Sequence, residues 1–245
     1  ANRGEIAIRI ARTAAALGLR TVAVHSQDER DAPHAQAADA SFALAGEGAS
    51  AYLSIDGIIE AARSSGCDAV HPGYGFLSEN AGLAAACKEA GLIFVGPDAA
   101  LLKLFGDKAE AKRHARAVGV PVLAEGDDAR GSVIVKAVAG GGGRGIRVVQ
   151  DRSTLAAQIA AAGAEALSAF GSDAVIVERY IASARHIEVQ LLGDATGRVA
   201  ALGTRDCTLQ RRHQKLLEIA PAQALDAGLA DRIVAAAVRL LEGTG

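Results

Sequence analysis

Residues 132–149 read SVIVKAVAGGGGRGIRVV, and this stretch decides the fold of the region around it. The β-branched residues on both sides of the glycines predict two strands, so the glycines join an antiparallel pair. Gly140, Gly142 and Gly145 formally match G-x-G-x-x-G, but dinucleotide-binding folds need a helix directly after these glycines. A P-loop is also excluded, because no Gly-Lys-Ser/Thr ending follows. We therefore predict a glycine flap whose backbone can approach phosphate oxygens; the alternative is a mobile hairpin without a ligand.

Two lysines near this flap add to the case for an anionic ligand. Lys136 interrupts an otherwise apolar strand, so its ammonium can meet α- or β-phosphates, unless it only extends into solvent at the strand end. Lys108 begins a helix predicted over residues 107–118, where a cation opposes the helix dipole. Glu178 follows the strand predicted at 174–177 and suits an adenine edge, although an ordinary strand-end carboxylate is the simpler interpretation.

A second group of cations lies in residues 210–215, which read QRRHQK. Arg211, Arg212, His213 and Lys215 can hold a small anion such as bicarbonate or phosphate; a solvated basic turn and a nucleic-acid contact are the alternatives. His186 and Glu188 alternate on a strand of the hairpin predicted from residues 186–192 and 198–203, so their side chains share one face. A structural histidine within the sheet would explain His186 equally well.

Around this region the chain divides into two patterns. Over residues 1–95, helical and short buried-strand patterns alternate, which predicts a doubly wound α/β domain with a parallel sheet. Its ligand-bearing edge would carry the loop at residues 71–80, HPGYGFLSEN, whose serine and histidine lack the G-x-S-x-G pattern of a serine hydrolase. Beyond residue 120 the pattern is α+β, with strands, a long Ala-rich helix at 152–169 and the hairpin.

Composition excludes several classes of protein. The 245 residues include 26 Lys plus Arg against 28 Asp plus Glu, giving a formal charge of −2, so neither nucleic acid nor an anionic membrane is an expected partner. Half of the residues are hydrophobic and 3% are aromatic, and no apolar run is long enough to span a bilayer. The three cysteines form no zinc pattern and suit a reducing compartment. We expect a soluble cytoplasmic protein.

Taken together, residues 1–7, 71–80, 136–147 and 205–215 closely resemble the biotin carboxylase family. This family is the ATP-grasp component of acetyl-CoA, propionyl-CoA and related acyl-CoA carboxylases, of pyruvate carboxylase and of urea carboxylase. The resemblance implies a ligase in which ATP phosphorylates bicarbonate to carboxyphosphate, and the resulting CO2 is transferred to N1 of biotin. It further implies Mg2+ or Mn2+, a biotin carboxyl carrier domain, a carboxyltransferase domain or subunit, a homo-oligomer, and the mitochondrial matrix as location in eukaryotes. We expect an acyl-CoA carboxylase of fatty acid metabolism.

The resemblance also assigns roles to individual residues. Lys108 and Lys136 would contact the nucleotide phosphates, and Lys215 would bind bicarbonate and act in catalysis with His213. Tyr74 would lie near biotin, and no metal ligand is expected in this chain. The remaining nucleotide-binding assignments are the lid loop Gly140, Gly141, Gly142, Gly143, Arg144 and Gly145, the adenine segment Glu178, Arg179, Tyr180 and Ile181, and the pocket residues His186, Glu188, Gln210 and His213. Arg179 stands where many members of the family have Lys.

The family's domain order implies three parts. Residues 1–119 would form the N-terminal α/β domain, 120–182 the ATP-grasp lid, and 183–245 the beginning of an incomplete ATP-grasp C-terminal domain. By the same comparison, a strand before residue 1, a longer stretch between 121 and 133, and the metal-binding carboxylates after residue 245 are missing. We therefore expect this piece alone to lack full activity. Another ATP-grasp ligase, similar to carbamoyl phosphate synthetase, and a non-catalytic nucleotide-binding fragment are the alternatives.

Overall fold

The computed structural model describes residues 1–123, 131–138, 146–194, 196–211, 214–242 and 244. The chain forms two compact units, Ala1–Gly106 and Asp107–Gly245. The predicted lid loop at 140–145, and Arg212 and His213, lie outside the described residues. The three-part division at residues 119 and 182 stays a prediction.

The first unit alternates helices with short strands. Its elements are α1 (Gly4–Ala16), β1 (Val22–His25), a 3-10 turn (Gln27–Glu29), α2 (Pro33–Gln36), β2 (Ala40–Ala43), α3 (Gly48–Ala51), α4 (Ile55–Ser64), β3 (Ala69–Val70), α5 (Ala81–Glu89), β4 (Ile93–Phe94) and α6 (Ala99–Gly106). β1 pairs with β2 and β3 with β4, both in parallel, with a helix between the two strands of each pair. The predicted α/β class is confirmed, whereas β2 and α6 had no clear signal in the sequence.

Side-chain caps fix where the helices of the first unit begin. Ser54 accepts a hydrogen bond from the Gly57 amide at the start of α4, and Asn80 accepts one from the Leu83 amide at the start of α5. Such caps satisfy backbone donors that have no partner within the helix. The buried faces of these helices pack into a core that consists of small and aliphatic side chains together with the aromatic side chain of Tyr52.

The second unit is an α+β arrangement, as predicted. Its elements are α7 (Lys108–Ala117), β5 (Val133–Ala137), β6 (Arg147–Val149), a 3-10 turn (Arg152–Thr154), α8 (Leu155–Phe170), β7 (Val175–Arg179), β8 (Ile187–Gly193), β9 (Val199–Asp206), β10 (Gln210–Arg211), β11 (Gln214–Lys215) and α9 (Ala227–Leu241). β5 is the middle strand of an antiparallel sheet with the order β6-β5-β7. The antiparallel pairing of the strands around the glycine flap is therefore confirmed.

Side-chain alternation gives this sheet two different faces. Val133 and Val135 of β5 pack with Ala162 of α8 in a buried cluster. Because successive residues of a strand point to opposite faces, Lys136 lies on the face away from α8. Glu178 is paired with Ile134 in the register of β5 and β7, so it shares that face with Lys136. The polar site on this sheet thus follows from the strand period.

Two hairpins complete the second unit. β8 and β9 form the predicted long hairpin, in which Glu188 lies directly opposite Arg205. β10 and β11 form a short one, in which Gln210 lies opposite Lys215. Helix α9 contacts both strands of the long hairpin. Within the described residues, no helix has the length and apolar character needed to cross a bilayer.

Candidate functional site

The side chain of Lys108, at the start of α7, reaches the end of β5. Asp107 caps α7 by accepting hydrogen bonds from the amides of Ala109 and Glu110, which fixes Lys108 as the first helical residue. The Lys108 ammonium donates to the carbonyls of Ala137 and Val138, each at 3.1 Å. Burial lowers the pKa of Lys108. A half-buried cation is thus held at the end of β5, as an anion site there requires.

Lys136 forms an ion pair with Glu178 on the polar face of the sheet. Its Nζ lies 2.7 Å from Glu178 Oε2, and Lys112 of α7 contacts the other carboxylate oxygen, Oε1. The Glu178 side chain is only 4% exposed. Burial, and then the charges of Lys112 and Lys108, lower the pKa of Lys136. We call Lys108, Lys112, Lys136 and Glu178 the lysine cluster.

Lys112 was missed in the sequence, although a signal for it exists. It follows Lys108 by four residues, and residues at this spacing lie on the same face of a helix. The adenine role of Glu178 stays a prediction, and in this structure its carboxylate pairs with the ammonium groups of Lys112 and Lys136. In the rest of that segment, Arg179 and Ile181 are exposed, and the Tyr180 amide donates to the Ser132 carbonyl at 2.9 Å.

A second cluster is centred on Glu188 of β8. Its Oε1 lies 2.5 Å from Lys215 Nζ and 3.1 Å from His186 Nε2, and its Oε2 lies 2.6 Å from an Arg205 guanidinium nitrogen. Burial tends to raise the pKa of Glu188, but Lys215, Arg205 and His186 outweigh burial and lower it. Arg205 also contacts Glu218. We call Glu188, His186, Arg205 and Lys215 the glutamate cluster.

Gln210 joins the glutamate cluster to the start of the short hairpin. Its amide nitrogen lies 2.7 Å from His186 Nδ1 and donates to the Cys207 carbonyl at 2.9 Å. The structure therefore brings together four residues proposed from the sequence, which are His186, Glu188, Gln210 and Lys215. Arg205 belongs to the stretch 205–215 that carries the resemblance but had no separate role, and its register opposite Glu188 places it in the cluster.

Tyr74 belongs to the first unit, whereas the other described site residues belong to the second. The side-chain amide of Asn2 donates to the carbonyls of Pro72, at 2.8 Å, and Tyr74, at 2.7 Å. The Tyr74 hydroxyl contacts Glu5, and the residue is 60% exposed. The loop is thus pinned through its backbone while its aromatic ring faces solvent.

The lysine cluster and the glutamate cluster together contain five Lys and Arg side chains and two carboxylates. Half-buried ammonium groups of lowered pKa gain by pairing with an anion, which restores the electrostatic stabilisation lost on burial. An antiparallel sheet that carries lysines, together with a hairpin that carries a histidine, a carboxylate and a lysine, places the chain in the ATP-grasp class of proteins.

Comparison with known families and proteins refines this class. The family model "Biotin carboxylase, N-terminal domain" matches residues 1–102, and "Carbamoyl-phosphate synthase L chain, ATP binding domain" matches residues 102–245. Mitochondrial pyruvate carboxylase of Mus musculus is 47% identical over 262 residues; the match covers 100% of this chain and 22% of the mouse protein. The chain therefore spans about a fifth of that relative's length.

Two solved structures agree with these matches. A biotin carboxylase–βγ-ATP complex from Campylobacter jejuni is 41% identical with a TM-score of 0.93, covering 98% of this chain and 57% of that one. The biotin carboxylase domain of 2-oxoglutarate carboxylase from Hydrogenobacter thermophilus, in complex with MgADP, ADP and bicarbonate, is 38% identical with a TM-score of 0.92, covering 98% and 56%. The chain belongs to the biotin carboxylase family.

Proposed function

We propose that this chain binds ATP and bicarbonate for the ATP-dependent carboxylation of biotin, the first half-reaction of a biotin-dependent carboxylase. The observation that carries the proposal is the lysine cluster, in which half-buried ammonium groups from α7 and β5 meet at Glu178 and at the end of β5. Phosphoryl transfer needs little covalent help from a protein, and its main requirements are positioning, positive charge and exclusion of water.

ATP fits the lysine cluster by charge. Lys108 and Lys136 both have lowered pKa values because of burial, and Lys136 additionally because of neighbouring lysines. A polyphosphate supplies the negative charge that stabilises both ammonium groups in their protonated form. We assign both lysines to the phosphates, residues 140–145 to a lid over them, and residues 178–181 to adenine. Among the described residues, no three His, Cys, Asp or Glu side chains group to hold a metal ion.

Bicarbonate fits the glutamate cluster. Lys215 Nζ lies 2.5 Å from Glu188 Oε1. A bicarbonate anion can accept a charge-assisted hydrogen bond from the same ammonium group. His186 Nδ1 and Gln210 Nε2 lie 2.7 Å apart, and both side chains would contact the ribose and phosphates of ATP. His213 would act with Lys215 in catalysis. Residues 120–182 would form the lid domain and 183–245 the beginning of the C-terminal domain.

Other parts of the reaction are assigned to further partners. Biotin would arrive on a carboxyl carrier domain and meet Tyr74, and a carboxyltransferase domain or subunit would pass the carboxyl group to its acceptor. A homo-oligomer is part of the proposal, with the cytoplasm, or the mitochondrial matrix in a eukaryote, as its location. Acyl-CoA as acceptor stays a prediction, because the mouse relative is named a pyruvate carboxylase.

Activity assays on the natural full-length protein test the proposal. We expect ATP hydrolysis that depends on bicarbonate and is stimulated by free biotin. Lys215→Ala should lower the biotin-dependent turnover by about 100-fold, the scale for loss of one positioned charge, while largely sparing ATP binding. Lys88→Ala is the control, because it removes an exposed lysine from α5 of the first unit.

Other outcomes would separate the alternatives. Carboxylation rates unaffected by Lys215→Ala would refute the bicarbonate assignment. Activity with ammonia and no response to biotin would favour a ligase similar to carbamoyl phosphate synthetase, whose ATP-binding family model matches the second unit. ATP binding without hydrolysis would favour a non-catalytic nucleotide-binding protein.

A further inference from the structure

We infer that Lys112 is a positioning residue that frees Lys136 for the nucleotide by holding Glu178. The inference rests on the proposed function, since it concerns the lysine assigned to the phosphates. Lys112 would not touch the nucleotide itself. Its effect would pass through the buried carboxylate that it shares with Lys136.

The geometry places Lys112 and Lys136 on opposite oxygens of one carboxylate. Lys112 contacts Glu178 Oε1, while Lys136 Nζ lies 2.7 Å from Oε2. The side chains of Lys112 and Glu178 are 19% and 4% exposed, so water contributes little to this pair. Helix α7 presents Lys108 and Lys112 on one face, which brings a second ammonium group to the sheet.

Charge balance explains why a second lysine is needed. To meet a phosphate, the Lys136 ammonium must weaken its bond to Glu178. A buried carboxylate that loses its cation is strongly unfavourable. With Lys112 on the other oxygen, Glu178 remains paired and Lys136 can be released. Without Lys112, the carboxylate would hold Lys136 and would repel the incoming phosphates.

The alternative is that Lys112 binds a phosphate directly. In that case its removal would weaken nucleotide binding whether or not Glu178 carries a charge. If Lys112 acts through Glu178, its removal matters only while that carboxylate is charged. A double-mutant cycle between the two residues therefore separates the two roles.

Isothermal titration of the natural full-length protein with MgATP, without bicarbonate, is the experiment. Lys112→Gln should weaken binding by about 10-fold to 100-fold, the range for one hydrogen bond to a charged group. Lys112→Arg should restore most of the affinity. Arg113→Gln is the matched control, because Arg113 is the next residue of α7, is 66% exposed and pairs with Glu110 on the surface. It should change the affinity by less than about twofold.

The Glu178→Gln background supplies the decisive comparison. Glu178→Gln and the double variant Lys112→Gln/Glu178→Gln should bind MgATP with equal affinity. This comparison holds even if Lys112→Gln alone does not fold, because the double variant leaves no charged carboxylate without a partner. An equal loss from Lys112→Gln in both backgrounds, or wild-type affinity in Lys112→Gln, would overturn the inference.

A different set of affinities would show that the proposed function itself is wrong. If Lys136→Gln binds MgATP as tightly as the wild type, the nucleotide site itself is wrongly assigned and the inference falls with it. If Lys136→Gln weakens binding while Lys112→Gln does not, only the role of Lys112 is refuted.

Discussion

The loop that carries Tyr74 contains two glycines that share a backbone conformation but differ in their surroundings. Gly73 has a φ of +68° and Gly75 a φ of +66°. A Cβ built on Gly73 would lie 2.8 Å from Nδ2 of Asn2 and 3.1 Å from its Cβ and Cγ, whereas a Cβ on Gly75 would meet no atom within 4 Å. Alanine substitutions at these positions therefore separate backbone strain from a close contact.

The expected magnitudes follow from these contacts. An alanine in the left-handed region costs about 1–2 kcal/mol, and both variants carry this cost. At Gly73 the new methyl group also displaces Asn2, whose side chain donates to the carbonyls of Pro72 and Tyr74. Loss of these two hydrogen bonds adds about 2 kcal/mol. Gly73→Ala should thus lower the free energy of unfolding of the first unit by about 3–4 kcal/mol, against about 1–2 kcal/mol for Gly75→Ala.

Urea unfolding followed by circular dichroism measures both values. Repeating Gly73→Ala in an Asn2→Gly background provides the control, since the obstructing side chain is then absent. In that background the cost of Gly73→Ala should fall to that of Gly75→Ala. Equal destabilisation by Gly73→Ala and Gly75→Ala in the presence of Asn2 would refute the argument that Asn2 packs against Gly73.

Two further predictions concern the hydrogen bonds of Asp206 and Tyr52. The Thr208 hydroxyl, and after it Arg185, lowers the pKa of Asp206 to about 2 from 3.8. Because this pKa is depressed in the folded state, the stabilisation is present above pH 3.8 and is lost as the pH falls toward 2. Thr208→Val should raise the pKa of Asp206 in an NMR titration, and an unchanged value would contradict the assignment. Tyr52→Phe removes a hydroxyl that donates a hydrogen bond to Glu29 at 2.7 Å. The free energy of unfolding, measured by thermal unfolding, should fall by about 1–3 kcal/mol. An unchanged melting temperature would count against this hydrogen bond.

Local sequence patterns were sufficient to predict most of the strands in the second unit. The β-branched residues around the glycines predicted β5 and β6, and the two-residue period of β5 already placed Lys136 opposite the buried valines. The same period placed Glu188 of β8 on one face with His186, which directly precedes that strand, and their side chains lie 3.1 Å apart. The strands β2, β10 and β11 gave no usable pattern, because they contain none of the Val and Ile residues that marked other short strands such as β1 and β6.

Sequence alone determined the fold class, the strand faces and the resemblance to a family, because these depend on composition, period and motifs of neighbouring residues. Tertiary structure alone decided which charges share a partner. Lys112 meets Glu178 because α7 comes close to the polar face of the sheet, and Arg205 meets Glu188 because of the register of one hairpin. Such pairs join residues far apart in the chain, and their energies depend on burial, which no local pattern records.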